Sequence, residues 1–86
     1  MGYDKVSVSK MADKLRDSDY EYVSVRLANY RAKLEIAQRK FAETSYSENR
    51  RLHLNYYCNI RYNETMIRLC EEILTEKENN YGYQLP

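Results

Sequence analysis

Two long stretches of the chain place apolar side chains at intervals of three and four residues, the spacing of a single helix face. The first stretch runs from residue 20 to 41, and the second from residue 52 to 74. These stripes predict two long helices that pack along a narrow seam. A shorter stripe of three residues predicts a first helix ahead of them. In chain order, the stripes are Val8, Met11 and Leu15; Tyr20, Val23, Leu27, Tyr30, Leu34, Ala37 and Phe41; and Leu52, Tyr56, Ile60, Asn63, Ile67, Cys70 and Leu74.

Two serines predict where the two long helices begin. Glu21 follows Ser18 by three residues and Glu48 follows Ser45 by three, the spacing of a capping box. The two glycines and the one proline lie near the chain ends, so composition gives no helix breaker between residues 3 and 81. We therefore expect an all-α fold, with a short N-terminal helix followed by a long antiparallel hairpin. The expected helices cover about 8–17, 19–44 and 46–78 within one domain over 1–80, and a loose tail covers 81–86.

A β-strand is the competing interpretation of residues 20–27. That segment alternates and is rich in tyrosine and valine, which favour strands. The apolar stripe nevertheless continues from Tyr20 into Phe41 without a breaker. Helix is therefore the favoured prediction.

The last predicted helix carries a second apolar stripe roughly opposite the first, and the middle helix carries a weaker one. Leu, Ile, Val and Phe number only 17 of 86 residues, whereas Tyr numbers 10. Tyrosines must therefore enter the core, or the chain must bury surface against another chain. A helix that is apolar on two sides must also be covered on two sides. The second stripes are Leu54, Cys58, Tyr62 and Leu69, with Met66 and Ile73 between the two stripes, and Val25, Ala32 and Ile36 on the middle helix.

This second face predicts a protein-interaction module. The partner is either a second copy, giving a dimeric four-helix bundle, or a different protein. Tyrosine suits such a role because its ring is large and rigid and its hydroxyl tolerates water. The small size and composition resemble those of phage and mobile-element proteins that act as inhibitors, so adaptor, regulator and inhibitor are all open. The predicted interface residues are Leu54, Tyr57, Cys58, Tyr62 and Leu69.

The charge distribution supports an alternative, a dimeric nucleic-acid-binding regulator. Residues 26–62 carry eight basic and three acidic residues, a net charge of +5, although the whole chain has only +1. A hairpin would gather these cations toward its tip, where Tyr46, His53 and Tyr57 could stack on bases. A solvated surface is the simpler interpretation, because dedicated nucleic-acid domains usually have a pI above about 9 and this chain has 7.7. The candidate phosphate contacts are Arg39, Lys40, Arg50 and Arg51.

A second route to DNA binding lies nearer the N-terminus. Residues 11–27 faintly resemble a helix-turn-helix, although Arg16 stands where the turn favours glycine and the spacing is one residue too long. The resemblance implies that Arg26, Arg31 and Lys33 would face DNA, with the last two helices forming a dimer.

The residues for catalysis or metal binding are sparse. A structural zinc site needs about four ligands, whereas His53, Cys58 and Cys70 are three, at spacings that cannot converge on one helix. The chain has no glycine-rich phosphate loop and no nucleophile triad. We therefore expect no cofactor, no metal and no enzymatic activity.

The cysteines and the apolar runs bear on location. Cys58 and Cys70 are 12 residues apart, about 18 Å along a helix, which is too far for a disulfide. Reduced thiols predict a cytoplasmic protein. We expect neither a membrane span nor a secretory signal, because no apolar run approaches about 20 residues and residues 1–10 contain no apolar segment.

Overall fold

The computed structural model describes residues 5–80, with side chains described for residues 8–79. These residues form three α-helices in chain order: α1 (Lys5–Asp17), α2 (Tyr20–Glu43) and α3 (Arg50–Asn80). The all-helical prediction is confirmed for this part of the chain, and residues 20–27 are the first two turns of α2 rather than a strand. The tail predicted over 81–86 lies outside the described residues.

Two adjacent polar residues separate α1 from α2. The Ser18 hydroxyl donates to the Lys14 carbonyl at 2.8 Å and closes the end of α1. The Asp19 carboxylate accepts a hydrogen bond from the Tyr22 amide at 2.8 Å and is the N-cap of α2. The prediction that Ser18 caps α2 was therefore wrong by one residue. A carboxylate at this position also interacts favourably with the helix dipole.

The connection between α2 and α3 needs no glycine. Thr44 ends α2, and its hydroxyl donates to the Lys40 carbonyl at 3.0 Å. The Ser45 carbonyl then accepts hydrogen bonds from the amides of Glu48 and Asn49, which makes a turn. The Asn49 side chain accepts from the Leu52 amide at 3.0 Å and caps α3. The predicted capping box at Ser45 was therefore wrong, and α3 begins at Arg50 rather than at residue 46.

α2 and α3 pack along each other as a helical hairpin, and α1 packs against α3. We call residues 8–33 and 61–79 the base of the hairpin, and residues 34–60 its tip. Within the base, polar contacts join α1 to α3: Arg16 Nε lies 3.3 Å from Glu76 Oε1, and Lys77 Nζ donates to the Arg16 carbonyl at 3.0 Å. At the start of α2, the Tyr20 hydroxyl donates to Glu78 at 2.6 Å.

The hydrophobic core lies in the base, where all three helices meet. On α3 the most buried apolar side chains are Met66, Cys70 and Ile73, whereas Ile67 and Leu74 of the predicted seam are only half-buried. The most buried side of α3 is therefore rotated around the helix axis from the predicted seam. The reason is that α1 covers a further side of α3, so the residues between the sides that face α1 and α2 are the most buried. The buried core cluster is Leu15, Val23, Leu27, Tyr30, Met66, Cys70 and Ile73.

Within residues 5–80, no third helix packs against the tip. The 13 residues of α1 span about 20 Å, whereas the 31 residues of α3 span about 46 Å. The described residues measure 52 × 29 × 15 Å, and the smallest dimension is little more than one helix diameter of about 10–12 Å. The tip is therefore a single layer of two helices, and one layer leaves apolar side chains uncovered.

Aromatic rings close the tip in place of an aliphatic core. The His53 ring stacks on Phe41 with ring centroids 4.1 Å apart, and its Nδ1 lies 3.2 Å from the Thr44 carbonyl. The Tyr57 ring packs against Phe41 with ring centroids 6.2 Å apart, and the Tyr46 ring meets His53 edge-on with centroids 6.0 Å apart. Phe41 and His53 remain half-buried, whereas Tyr46 and Tyr57 are exposed.

Within residues 5–80, none of the helices combines the length and the apolar character that a bilayer-crossing segment requires.

Candidate functional site

A groove of about 380 Å³ runs along one flank of the hairpin and is lined by residues of α2 and α3 only. Three cations line its α2 side: Arg26, Lys33 and Lys40. They are seven residues apart and therefore form one row along the helix, with about 10.5 Å between neighbours. Among the described residues that line the groove, there is no aspartate or glutamate. We call this feature the basic groove.

Tyr30 holds two of these cations in place. It is only 2% exposed, and its hydroxyl accepts a hydrogen bond from Arg26 Nη2 at 2.9 Å. Arg26 Cζ also lies 5.0 Å from the Tyr30 ring centroid, and Lys33 Nζ lies 5.9 Å from it, both within cation–π range. The hydrogen bond from Arg26 to Tyr30 raises the pKa of Arg26, so this cation stays charged.

The α3 side of the groove is aromatic and polar. Tyr62 meets Tyr30 edge-on, with centroids 6.3 Å apart, and burial raises the pKa of Tyr62, which keeps its hydroxyl neutral. The Asn63 side chain is buried and donates to the Asn59 carbonyl at 2.8 Å. Within residues 5–80, Asn63 Oδ1 and Arg26 Nε are buried atoms without a hydrogen-bond partner. The groove therefore retains hydrogen-bonding capacity that the fold does not use.

A second feature is apolar surface at the tip. Seven large hydrophobic side chains are exposed in the described part of the chain, and five of them belong to the tip. Ile36 also lines the basic groove, so the two features meet on α2. The five tip residues are Ile36, Tyr46, Leu52, Leu54 and Tyr57; the two at the base are Tyr22 and Val25.

The structure divides the predicted interface residues between tip and base. Leu54 and Tyr57 are 41% and 48% exposed, and half-buried Cys58 follows on the same turn of α3. Tyr62 and Leu69 are half-buried and pack against the base core. The first three therefore form a surface at the tip, whereas the last two contribute to folding of the base.

The four predicted phosphate contacts have different surroundings. Lys40 lines the basic groove, whereas Arg39 lies 3.6 Å from Glu35 on its own helix. Arg50 lies over the Tyr46 ring at 5.6 Å, and Arg51 is exposed.

The cations that the helix-turn-helix resemblance assigned to DNA lie on two flanks. Arg26 and Lys33 line the basic groove, whereas Arg31 pairs with Glu71 of α3 at 2.9 Å. Arg31 follows Arg26 by five residues, and five residues of helix correspond to a rotation of about 140° around the helix axis. The three cations therefore do not lie on one face that could contact DNA together.

Both thiols are free, and they differ in burial. Cys58 is half-buried, whereas Cys70 is fully buried and its burial raises the pKa of its thiol. Among residues 5–80, no group of three or more His, Cys, Asp and Glu side chains is arranged to hold a metal ion.

The sequence did not predict the basic groove. Arg26 and Lys33 were assigned to a DNA-facing helix and Lys40 to a phosphate contact, but the three were not placed together in one row. Their seven-residue spacing is visible in the sequence and places them on one side of a helix. Tyr56 and Tyr62 of α3 line the same groove, and they could not be assigned to it before the rotation of α3 was known.

Protein-family models, curated proteins and solved structures give no match to this chain. The function is therefore inferred from the geometry of the molecule.

Proposed function

We propose that this chain is a small non-enzymatic protein-interaction module that binds a partner protein through apolar side chains at the tip of its hairpin. One observation carries the proposal: five of the seven exposed large hydrophobic side chains in the described residues lie in the tip. Clustered apolar surface on a soluble fold marks an interaction site. Adaptor, regulator and inhibitor are all roles that need only such binding.

The centre of the proposed contact is the pair Leu54 and Tyr57, with Cys58 beside them. Leu54 and Tyr57 are three residues apart on α3, so their side chains are neighbours on the helix surface. Because Leu54 and Tyr57 are 41% and 48% exposed, covering the rest of each would contribute about 1 kcal/mol, roughly half of the value for a fully exposed side chain. Tyrosine adds rigid area and a hydroxyl that tolerates the polar rim of an interface.

The surroundings of two reactive side chains support a binding role over catalysis. His53, the only histidine in the sequence, stacks on Phe41 and contacts the Thr44 carbonyl. The Cys70 thiol is fully buried with a raised pKa, which keeps it protonated and unreactive. Both groups are engaged in packing.

The partner is a second copy or a different protein. In the first case, two hairpins would pack as a dimeric four-helix bundle, the arrangement that covers both single layers at once. A reducing compartment such as the cytoplasm suits either case, because Cys58 and Cys70 on α3 lie too far apart to form a disulfide within one chain.

The test compares two double variants of equal chemistry. Leu54→Glu with Tyr57→Glu changes the tip, and Tyr22→Glu with Val25→Glu changes an exposed aromatic and aliphatic pair of the same spacing at the base. Wild type and both variants are used to capture proteins from cell extract, with quantitative mass spectrometry and light scattering as readouts. We expect the tip variant alone to lose its partner by about tenfold or more, because each buried glutamate carries a large desolvation cost. Equal capture by all three proteins, with no self-association, would contradict the proposal.

A further inference from the structure

We propose that the basic groove binds an acidic amphipathic helix of another protein. This inference rests on the proposed binding role and specifies the chemistry of the partner. The groove supplies a row of cations, an apolar strip and a rigid aromatic floor, and each of these restricts the ligand.

The spacing of the cations points to a helix. From Arg26 to Lys40 the row covers 15 residues of α2, a rise of about 21 Å, with one cation about every 10.5 Å. A partner helix that carries a carboxylate every seventh residue repeats its charges at the same distance. Laid along α2, it would place three carboxylates opposite three cations without distortion.

The strip between the cations points to an amphipathic partner. Ile36, which is 46% exposed, and Ala37 lie between Lys33 and Lys40, and Tyr56 lines the α3 side. A helix with an apolar row beside its acids would cover Ile36 while pairing with the two lysines. This is the helix-in-groove mode of recognition.

The groove is already organised for an anion. The contacts of Tyr30 with Arg26 and Lys33 hold both cations before any ligand arrives, which lowers the entropic cost of binding. No aspartate or glutamate of the described chain lines the groove, so the carboxylates of a partner would be the first acidic groups to face these cations.

A second copy of this chain is a poor occupant. A two-fold pair that met through this groove would place cation rows against each other. Three of the five carboxylates of α3 already form ion pairs: Glu71 with Arg31 at 2.9 Å, Glu64 with Arg61 at 3.7 Å, and Glu76 with Arg16 at 3.3 Å. A head-to-tail pair that used these three would have to give up the existing contacts.

Nucleic acid fits the row less well than an acidic helix does. One strand of a duplex carries one phosphate per about 3.4 Å of helix axis, so a straight row of cations about 10.5 Å apart would contact at most about one phosphate in three. The net charge of the whole chain is only +1.

The test uses synthetic helical peptides of about 21 residues, which are ~32 Å long and match the row. The acidic probe has glutamate at every seventh position beside a leucine row. One control probe has the same composition with the glutamates moved to the opposite face, and another has lysine in place of glutamate. A single-stranded oligothymidylate is the nucleic-acid probe. Binding to the full chain is measured by fluorescence anisotropy at low and high salt.

The variants separate the groove from the rest of the charged surface. Lys33→Glu with Lys40→Glu reverses two groove cations, and Arg39→Glu with Arg51→Glu reverses two cations outside it. We expect the acidic probe to bind wild type and the control variant, and to bind the groove variant at least about tenfold more weakly. Binding should weaken as salt rises. Circular dichroism verifies that each variant keeps its helices.

Several outcomes would overturn the inference. They are equal binding of all three peptides, binding unaffected by the groove variant, tighter binding of the oligothymidylate, or no binding of the acidic probe at all. The tip variant Leu54→Glu with Tyr57→Glu makes the two proposals distinguishable. If the tip variant binds the acidic probe as tightly as wild type does but no longer captures the protein partner, both proposals stand. If the probe fails on wild type while partner capture still depends on the tip, only the groove inference fails.

Discussion

The base and the tip of the hairpin are built from the same two helices, yet they bury their apolar side chains very differently. In the base, Leu15 of α1 and Met66 and Ile73 of α3 are essentially inaccessible to water. In the tip, Leu54 and Tyr57 are about half exposed, and packing depends on rings such as Phe41 and His53. The presence of α1 at one end accounts for the difference, because two helices in one layer cannot enclose a core.

This comparison assigns different tasks to the two halves. The base holds the buried core that stabilises the fold, and in the function that we propose the tip supplies the apolar area that a partner would cover. The basic groove bridges them, since Tyr30 and Tyr62 pack against the base core and also form the floor of the groove. Experiments that treat the halves separately test this division.

The largest expected difference is in thiol reactivity. We expect half-buried Cys58 to react with a thiol reagent at least about a thousandfold faster than Cys70, since exposing Cys70 requires unfolding of the base at about 4 kcal/mol or more. The raised pKa of the Cys70 thiol further slows its reaction. Intact-mass spectrometry on Cys58→Ser and Cys70→Ser variants measures each rate separately.

Both variants should react at similar rates once denaturant unfolds them. Comparable native rates for the two thiols would show that the base opens as readily as the tip, and the division between them would then be wrong.

The next largest difference is in the effect of removing a leucine. Leu15→Ala should lower the free energy of unfolding by about 2–5 kcal/mol, because the side chain is fully buried and leaves a cavity. Leu54→Ala should change it by less than about 0.5 kcal/mol, because the side chain is exposed. Urea unfolding followed by circular dichroism gives both values. A loss of the same size at the two sites would contradict the comparison.

The sequence predicted the hairpin well because local spacing determines which side of each helix is apolar. The stripe from Tyr20 to Phe41 lies on α2, and its members Val23, Leu27 and Tyr30 are buried. The sequence predicted the seam of α3 less well, because burial of Met66 and Ile73 depends on where α1 packs. Periodicity within one helix does not contain that tertiary information.

The candidate site was only partly predictable for the same reason. Leu54 and Tyr57 were predicted as interface residues, and both are exposed in the structure. Tyr62 and Leu69 were predicted for the same interface but pack against the base core. Whether a surplus apolar residue faces water or the core depends on where α1 packs along α3, and the spacing within one helix does not contain that position.

A smaller effect is expected at the boundary between base and tip, where Asn63 interrupts the aliphatic seam. Its Oδ1 is buried without a partner among the described residues, so Asn63→Leu should be neutral or stabilising by up to about 1 kcal/mol. Asn59→Leu is the control, because that side chain is exposed and lies one turn away. Destabilisation of Asn63→Leu by more than about 1 kcal/mol would indicate that the amide is fully hydrogen-bonded.

The smallest expected effect compares an ion pair of the base with one of the tip. Arg31 and Glu71 join α2 to α3 at 2.9 Å, whereas Arg39 and Glu35 lie 3.6 Å apart on one helix. All four side chains are more than half exposed, so each coupling should be at most about 0.5 kcal/mol and should fall with salt. Double-mutant cycles with alanine in urea unfolding measure both. We expect the Arg31–Glu71 coupling to be the larger, because that pair forms only when the hairpin closes, whereas the Arg39–Glu35 pair also forms in an isolated helix. A larger coupling for Arg39–Glu35 than for Arg31–Glu71 would show that closure of the hairpin adds no stabilisation to the Arg31–Glu71 ion pair beyond that of a pair within one helix.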